Sequence, residues 1–277
     1  MSLKLMYITN DPEIATIAQS VGIDRVFIDM ECLGKENRQG GMDTVKSHHT
    51  VEDVRRIAAV LSTTELLVRV NPMHEKTDEY PSSREEIDAV IEAGADIIML
   101  PYFKTADEAR EFVSLVGGRA KTMLLLETAE ANENADEILS IDGIDEVHIG
   151  LNDMHLAYKK RFMFELLTDG TVDRLCEKCR ERGIPYGFGG IARLGYGMLP
   201  AELVITEHYR LGSTKAILSR SFCNASTVTD MAELKELFRL ETAKIRRFEE
   251  VVAAYSAEEF EANRREVERL VKIIAAQ

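Results

Sequence analysis

Short apolar runs alternate with longer amphipathic stretches along most of the chain. The runs fall at Lys4–Ile8, Arg25–Met30, Glu65–Val70, Asp96–Leu100, Thr122–Glu127, Glu146–Leu151, Pro185–Gly189 and Ala216–Arg220. They are near-continuous rather than alternating, the pattern of strands buried on both faces. Helix signals fill the gaps. Asp11-Pro12 supplies a cap and a first-turn proline, and Gly22 ends that helix. Thr50 caps a helix with Asp53 three residues on, Ser83-Arg-Glu-Glu opens one that ends at Gly94, and Thr105-Ala-Asp-Glu opens one that ends near Gly117-Gly118. Strand and helix in strict alternation predict a parallel sheet with crossover helices. The expected fold is α/β, a closed (β/α)8 TIM barrel with an additional C-terminal helical extension. An open doubly wound sheet is the alternative, but no G-x-G-x-x-G follows the first strand.

After Phe222 the pattern turns wholly helical, over Met231–Tyr255 and Ala257–Ala276. The expected division is a barrel over residues 1–225 and a helical extension over 226–277, packing on the barrel or on a neighbouring subunit. The last segment, rich in Glu and Arg, reads as an arm laid against a neighbour.

Composition narrows the function classes. The chain has 277 residues, and a barrel of this kind takes about 250. A net charge of -14 argues against a nucleic-acid face and against a polybasic membrane patch. An anionic ligand would need a local cation to capture it. No apolar run approaches the ~20 residues that span a bilayer, and the start lacks the charged and apolar blocks of a signal peptide, so a cytoplasmic protein is expected. Cys176 and Cys179 form a C-x-x-C within the helical stretch Val172–Arg182. Without a second pair they read as helix-surface thiols rather than a zinc site. Cys32 and Cys223 are read as thiols too.

Barrel chemistry gathers at the C-terminal ends of strands. In order these ends offer Asp29, Glu31 and Cys32; Arg69 and Asn71; Pro101 and Tyr102; Glu127; Asn152 and Asp153; Gly189 and Gly190; and Ser219, Arg220 and Ser221. A carboxylate at the end of an apolar strand is costly to bury unless it meets a cation or a donor. Glu127 and Asp153, with Arg69 ending a third strand, suggest a divalent metal and an anionic substrate on one rim. Ser219 and Arg220 end the eighth strand, where barrels bind anions. His148 lies mid-strand and reads as a core histidine. His155 and His74 are weaker functional candidates near the mouth.

The series Asp29-Met-Glu31, Leu67-Val-Arg69-Val, Gly94-Ala-Asp-Ile-Ile-Met-Leu-Pro101, Leu126-Glu127-Thr-Ala-Glu130 and Ile144-Asp-Glu-Val-His-Ile-Gly150-Leu-Asn-Asp153 resembles the HpcH/HpaI aldolase and citrate lyase β-chain family. The similarity runs in register from about residue 20 to 155 and more loosely to 222. The resemblance implies a (β/α)8 barrel of the phosphoenolpyruvate/pyruvate superfamily and a lyase dependent on Mg2+, Mn2+ or Co2+. Such enzymes cleave 2-keto-4-hydroxy acids through a pyruvate enolate. It implies Glu127 and Asp153 as metal ligands, Arg69 as the enolate-stabilising cation, and Asp29 and Glu31 as the acids that order metal-bound waters. Asn152, Gly189, Ser219 and Arg220 are the further substrate-binding candidates. A homo-oligomer is expected, because relatives pack their C-terminal helices across subunits.

The chain departs from that pattern at three places. Cys32 stands where the family carries a histidine tied to proton transfer. A long polar loop, Leu33–Ser47, leads to His48-His49, either of which could fold back as the base. The connection between Tyr102 and Thr122 is short, with no Gly-rich, Arg-bearing loop, and Asn152 takes a place where small residues are common. Two other readings keep the scaffold: a citrate-lyase-like enzyme acting on an acyl-CoA or on a phospho- or phosphono-substrate, and a barrel that binds a metabolite without turning it over.

Overall fold

A computed structural model describes residues 2–34, 49–219, 222–223 and 230–277. Eight parallel strands close into a barrel in sequence order. They are β1 (Lys4–Ile8), β2 (Arg25–Asp29), β3 (Glu65–Arg69), β4 (Ile97–Leu100), β5 (Lys121–Leu126), β6 (Glu146–Ile149), β7 (Tyr186–Ile191) and β8 (Lys215–Leu218). Closure comes from β1 on β8, with Lys4 opposite Lys215 and Met6 opposite Ile217. Every apolar run of the sequence is a strand, shifted by no more than two residues.

The helices follow as α1 (Pro12–Ser20), α2 (Val51–Ala58), α3 (Ser83–Glu92), α4 (Ala106–Val116), α5 (Ala129–Glu133), α6 (Ala135–Ile138), α7 (Leu151–Ala157), α8 (Glu165–Thr168), α9 (Thr171–Glu181), α10 (Ala201–Leu211), α11 (Met231–Val252) and α12 (Ala257–Ala275). Asp11 caps α1, accepting from the N–H groups of Glu13 and Ile14. Thr50 and Thr105 form capping boxes with Asp53 and Glu108. For α3 the cap is Ser82, paired with Glu85, one residue before the expected start. α11 packs between α1 and α10, and α12 lies on α8 and α10 of its own chain. Asn263 of α12 donates to the Leu203 carbonyl and to Glu207. No helix among the described residues is long and apolar enough to cross a membrane.

The two faces of each strand serve different cores. Inward-facing Met6, Phe27, Leu67, Ile97, Met99, Met123 and Leu125 fill the barrel. Alternate residues, such as Val26, Val68, Ile98, Leu124, Val147 and Phe188, join the layer under the helices. Cys176 and Cys179 belong to that outer layer and are fully buried. This corrects their reading as surface thiols: they occupy the inner face of α9 as small hydrophobes.

Below the apolar fill, the strand beginnings carry charge. Arg25, 0% exposed, forks onto Glu146 at 2.7 Å through both terminal nitrogens and reaches Glu65 through Nε at 2.9 Å. Lys215 Nζ lies 2.9 Å from Glu146. Gly187 makes room for this lysine, since a Cβ there would stand 2.3 Å from Lys215 Cγ. Burial alone would raise the Glu146 carboxyl, but the bonds from Arg25 and the charge of Lys215 overcome it and hold it at about 2. His148 points into the barrel between the ionic floor and the mouth, with Nε2 3.0 Å from the Gly189 carbonyl oxygen. Burial pushes it down to about 3, so it is a neutral core residue.

Removing one partner of a buried ion pair is far more damaging than losing a surface pair. Arg25→Met is expected to destabilise the protein by about 3–5 kcal/mol in denaturant unfolding. Arg55→Ala, which breaks an exposed pair with Glu52, should stay within about 0.5 kcal/mol. Because the folded-state pKa of Glu146 is depressed, its contribution is complete above pH 4.5 and disappears as the pH falls towards 2. The Arg25→Met variant should show a flatter acid limb over that range.

Candidate active site

The carboxyl ends of β2, β3, β5 and β6 converge on one arginine. Asp29 and Arg69 are register partners at the ends of adjacent strands. Arg69 grips Asp29 with a planar fork, Nε to Oδ1 and Nη2 to Oδ2, both at 2.8 Å. Its third nitrogen lies 3.3 Å from Glu31 Oε2, and the guanidinium sits over the Phe27 ring at 5.6 Å. Burial disfavours the charged arginine, but Asp29 and Glu31 more than offset this and hold it fully protonated. The guanidinium is therefore a permanent positive charge fixed in the mouth.

Glu127 follows β5 and is 3% exposed. Its Oε1 accepts the backbone N–H of Tyr102 at 3.0 Å. Tyr102 has φ of +47°, one of two non-glycine residues in the left-handed region among the described residues. Such strain persists where the surroundings enforce it, and here it aims an N–H at a buried carboxylate. Gly150, at the end of β6, is the other requirement. A Cβ there would stand 2.7 Å from Glu127 Cβ and 2.8 Å from its Oε2, so only glycine lets the glutamate lie across the strand end.

Asp153, in the first turn of α7, is also buried. Burial raises the Glu127 carboxyl well above its usual range, and the charges of Glu31 and Asp153 raise it further. Arg69 and the Tyr102 N–H oppose this without prevailing. Four buried acids, Asp29, Glu31, Glu127 and Asp153, thus belong to one electrostatic cluster with Arg69.

His49 lies back against the barrel, its Nδ1 accepting the N–H of Asp29 at 3.1 Å. With that nitrogen an acceptor, the neutral ring carries its proton on Nε2. His48 and Arg220 lie outside the described residues. Asn152 is in the first turn of α7 beside Asp153, and Ser219 directly follows β8. Gly189 has φ of +51° and packs against Leu151, leaving no space for a side chain. His155 does not reach solvent; it is buried with Nδ1 3.2 Å from the Leu151 carbonyl oxygen. The His74 ring is committed to the carbonyls of Pro72 and Pro81 at 2.7 and 2.8 Å.

No three or more His, Cys, Asp or Glu side chains among the described residues form a ready-made cage for an ion. The donor set nevertheless suits a hard cation. Glu127 and Asp153 offer two carboxylates, and Mg2+-like ions are commonly held by one or two carboxylates, with waters and substrate completing the shell.

This is a (β/α)8 barrel with a buried acid cluster at the carboxyl rim, the place where barrels of this class carry out catalysis. A family model described as HpcH/HpaI aldolase/citrate lyase matches residues 4–184, and the chain belongs to that family, one of carbon–carbon lyases. Solved structures agree on the fold. An HpcH/HpaI aldolase from Desulfitobacterium hafniense DCB-2 aligns with a TM-score of 0.61 at 16% identity, over 88% of this chain and 93% of that one. An HpcH/HpaI aldolase/citrate lyase family protein from Burkholderia cenocepacia J2315 gives 0.62 at 15%, over 85% and 95%. The citrate synthase SbnG gives 0.61 at 15%, over 85% and 94%. Comparison with curated proteins yields no match.

Glu127 supplies a test that needs no substrate. Because its folded-state pKa is raised, the stability it contributes is complete below pH 4.5 and is lost as the pH rises through that higher value. In metal-free buffer, Glu127→Gln should unfold at a higher temperature than the wild type at pH 8 and match it near pH 4. A lower melting temperature at pH 8 would mean that the glutamate is satisfied as an anion.

Proposed function

We propose that this chain is a divalent-metal-dependent, class II type lyase acting on a 2-keto acid through a pyruvate-like enolate. The observation that carries the proposal is the meeting of two buried carboxylates, Glu127 and Asp153, at the carboxyl rim beside the fixed Arg69 guanidinium. A cation held by Glu127 and Asp153 would relieve the repulsion between these two buried groups. When bound, that cation supplies positive charge to the keto oxygen on which an enolate's charge develops.

The protein's own groups do the rest. Arg69, immobilised by Asp29, presents fixed N–H donors towards the same oxygen. Asp29 and Glu31 accept hydrogen bonds from waters and hold them in register. Tyr102 N–H and Gly150 fix the rotamer of Glu127, so the ligand set is organised before substrate arrives. Asn152, Gly189, Ser219 and Arg220 are the substrate-side candidates at the neighbouring strand ends. The general base is unassigned. His49 as held offers a donor at Nε2, so its use as a base requires release of the Asp29 N–H. His48 is the alternative.

The decisive assay is metal-dependent exchange of the pyruvate methyl protons, followed by NMR in D2O. The wild type is expected to exchange with Mg2+, Mn2+ or Co2+ and to stop with a chelator. Asp153→Asn should lose about 10²–10³-fold in rate. Cys32, in place of the family histidine, favours a second reading in which the barrel binds a keto acid without turnover. Pyruvate binding with no exchange under any divalent metal would select it. Turnover of acyl-CoA esters alone would select a citrate-lyase-like activity.

We also propose that the chain works as a homo-oligomer. Leu240 and Val251 on α11 and Ile273 on α12 are 39, 55 and 45% exposed, apolar side chains that a neighbouring subunit would cover. Sedimentation velocity should give a multiple of 31.1 kDa; a species at the single-chain mass would contradict this.

A further inference from the structure

Just behind the acid cluster, Asn71 ties the turn after Glu31 to the first turn of α3. It lies two residues beyond Arg69 and is 6% exposed. Its Oδ1 accepts the backbone N–H of Cys32 and that of Leu33, each at 2.9 Å, and the Cys32 thiol at 3.4 Å. Its Nδ2 donates to Glu86 Oε1 at 2.9 Å, and its backbone N–H lies 3.2 Å from Glu86 Oε2. Glu86 is itself buried, in the first turn of α3.

The amide has only one workable orientation. A carboxylate accepts and cannot donate, so the NH2 group must face Glu86. The carbonyl oxygen is left for the two N–H groups of the loop. Flipping the amide would set oxygen against carboxylate and NH2 against two amide donors. The two loop N–H groups, which can only donate, and Glu86 together fix which way Asn71 points, and Asn71 in turn holds the peptide after Glu31. Glu31 is the residue so delivered, with Oε2 3.3 Å from Arg69 Nη1 and its charge acting on Glu127.

We infer that Asn71 is a positioning residue: oriented by Glu86, it latches the Cys32–Leu33 turn and thereby sets Glu31 in the acid cluster. The latch stands on geometry alone. Its service to a metal centre rests on the reading given under Proposed function.

Cys32 provides a reporter that needs neither metal nor turnover. It is partly exposed and is tied to Asn71, whereas Cys176 and Cys179 are fully buried and Cys223 is 5% exposed. In intact metal-free protein, Asn71→Ala should raise the rate of thiol labelling at Cys32 at least about tenfold, by releasing the turn. Cys32→Ser in the same background should remove the fast phase. Glu86→Gln keeps an acceptor for the Asn71 donors and should label within about twofold of wild type. Glu86→Ala should label fast, and it serves as the second variant should Asn71→Ala fail to fold. Mn2+ affinity, read by its paramagnetic relaxation, should fall about 10–100-fold in Asn71→Ala and survive in Glu86→Gln, as expected when an outer partner that orients a metal site is lost. Wild-type labelling rates in both alanine variants would overturn the latch. Fast labelling with unchanged Mn2+ affinity would overturn its link to the acid cluster. A wild type that binds no Mn2+ would sink the metal reading while leaving the latch to be decided by the thiol rates.

Discussion

The structure is organised around the fork between Arg69 and Asp29. Two adjacent strands end in register, and their last residues form a bidentate ion pair inside the barrel mouth. This fixes a permanent positive charge at the one place where Glu31, Glu127 and Asp153 also arrive. Burial first, and then the charges of Glu31 and Asp153, push Glu127 towards its protonated form; the proposed cation would relieve that repulsion. In a chain of net charge -14, Arg69 is the local positive pole that the proposed anionic substrate would need.

A second ionic layer shares the barrel but has a different use. Arg25, Glu65, Glu146 and Lys215 each open a strand and close the floor with paired charges. Between floor and mouth lie the apolar residues of the barrel interior and the neutral His148. The floor is balanced and sealed, and its carboxylate is held well below its usual range. In the mouth, burial and the neighbouring acids drive Glu127 upward. That contrast, between similar residues in one barrel, is what the proposed catalytic role of the mouth builds on.

Much of this was legible from the residues. The eight strands emerged because both of their faces are buried, which leaves continuous apolar runs that few other structures produce. Helix starts emerged from Asp11, Thr50 and Thr105, whose side chains accept the first free N–H groups. The acid cluster was visible as carboxylates at strand ends. Other features depend on partners distant in sequence. Gly150 gave no signal beyond ending a strand, because its role is to yield space to Glu127, which lies on the preceding strand. The floor had a faint signature, a charge at the first position of several apolar runs, but nothing local says that those charges meet. Cys176 and Cys179 looked like surface thiols because their neighbours in α9 are charged; packing turned their face inward. The Glu86–Asn71–Cys32 connection spans three segments and becomes readable only once the barrel has closed.

The central claim is that the side chains of Glu127 and Asp153 together hold a divalent ion. It is tested most directly by anomalous diffraction from crystals soaked in Mn2+. The account predicts a single strong peak at the barrel mouth, within coordination distance of one oxygen from each of these two carboxylates. It is contradicted by a map with no peak there, in which Glu127 rests only on the Tyr102 N–H and Asp153 turns towards protein donors.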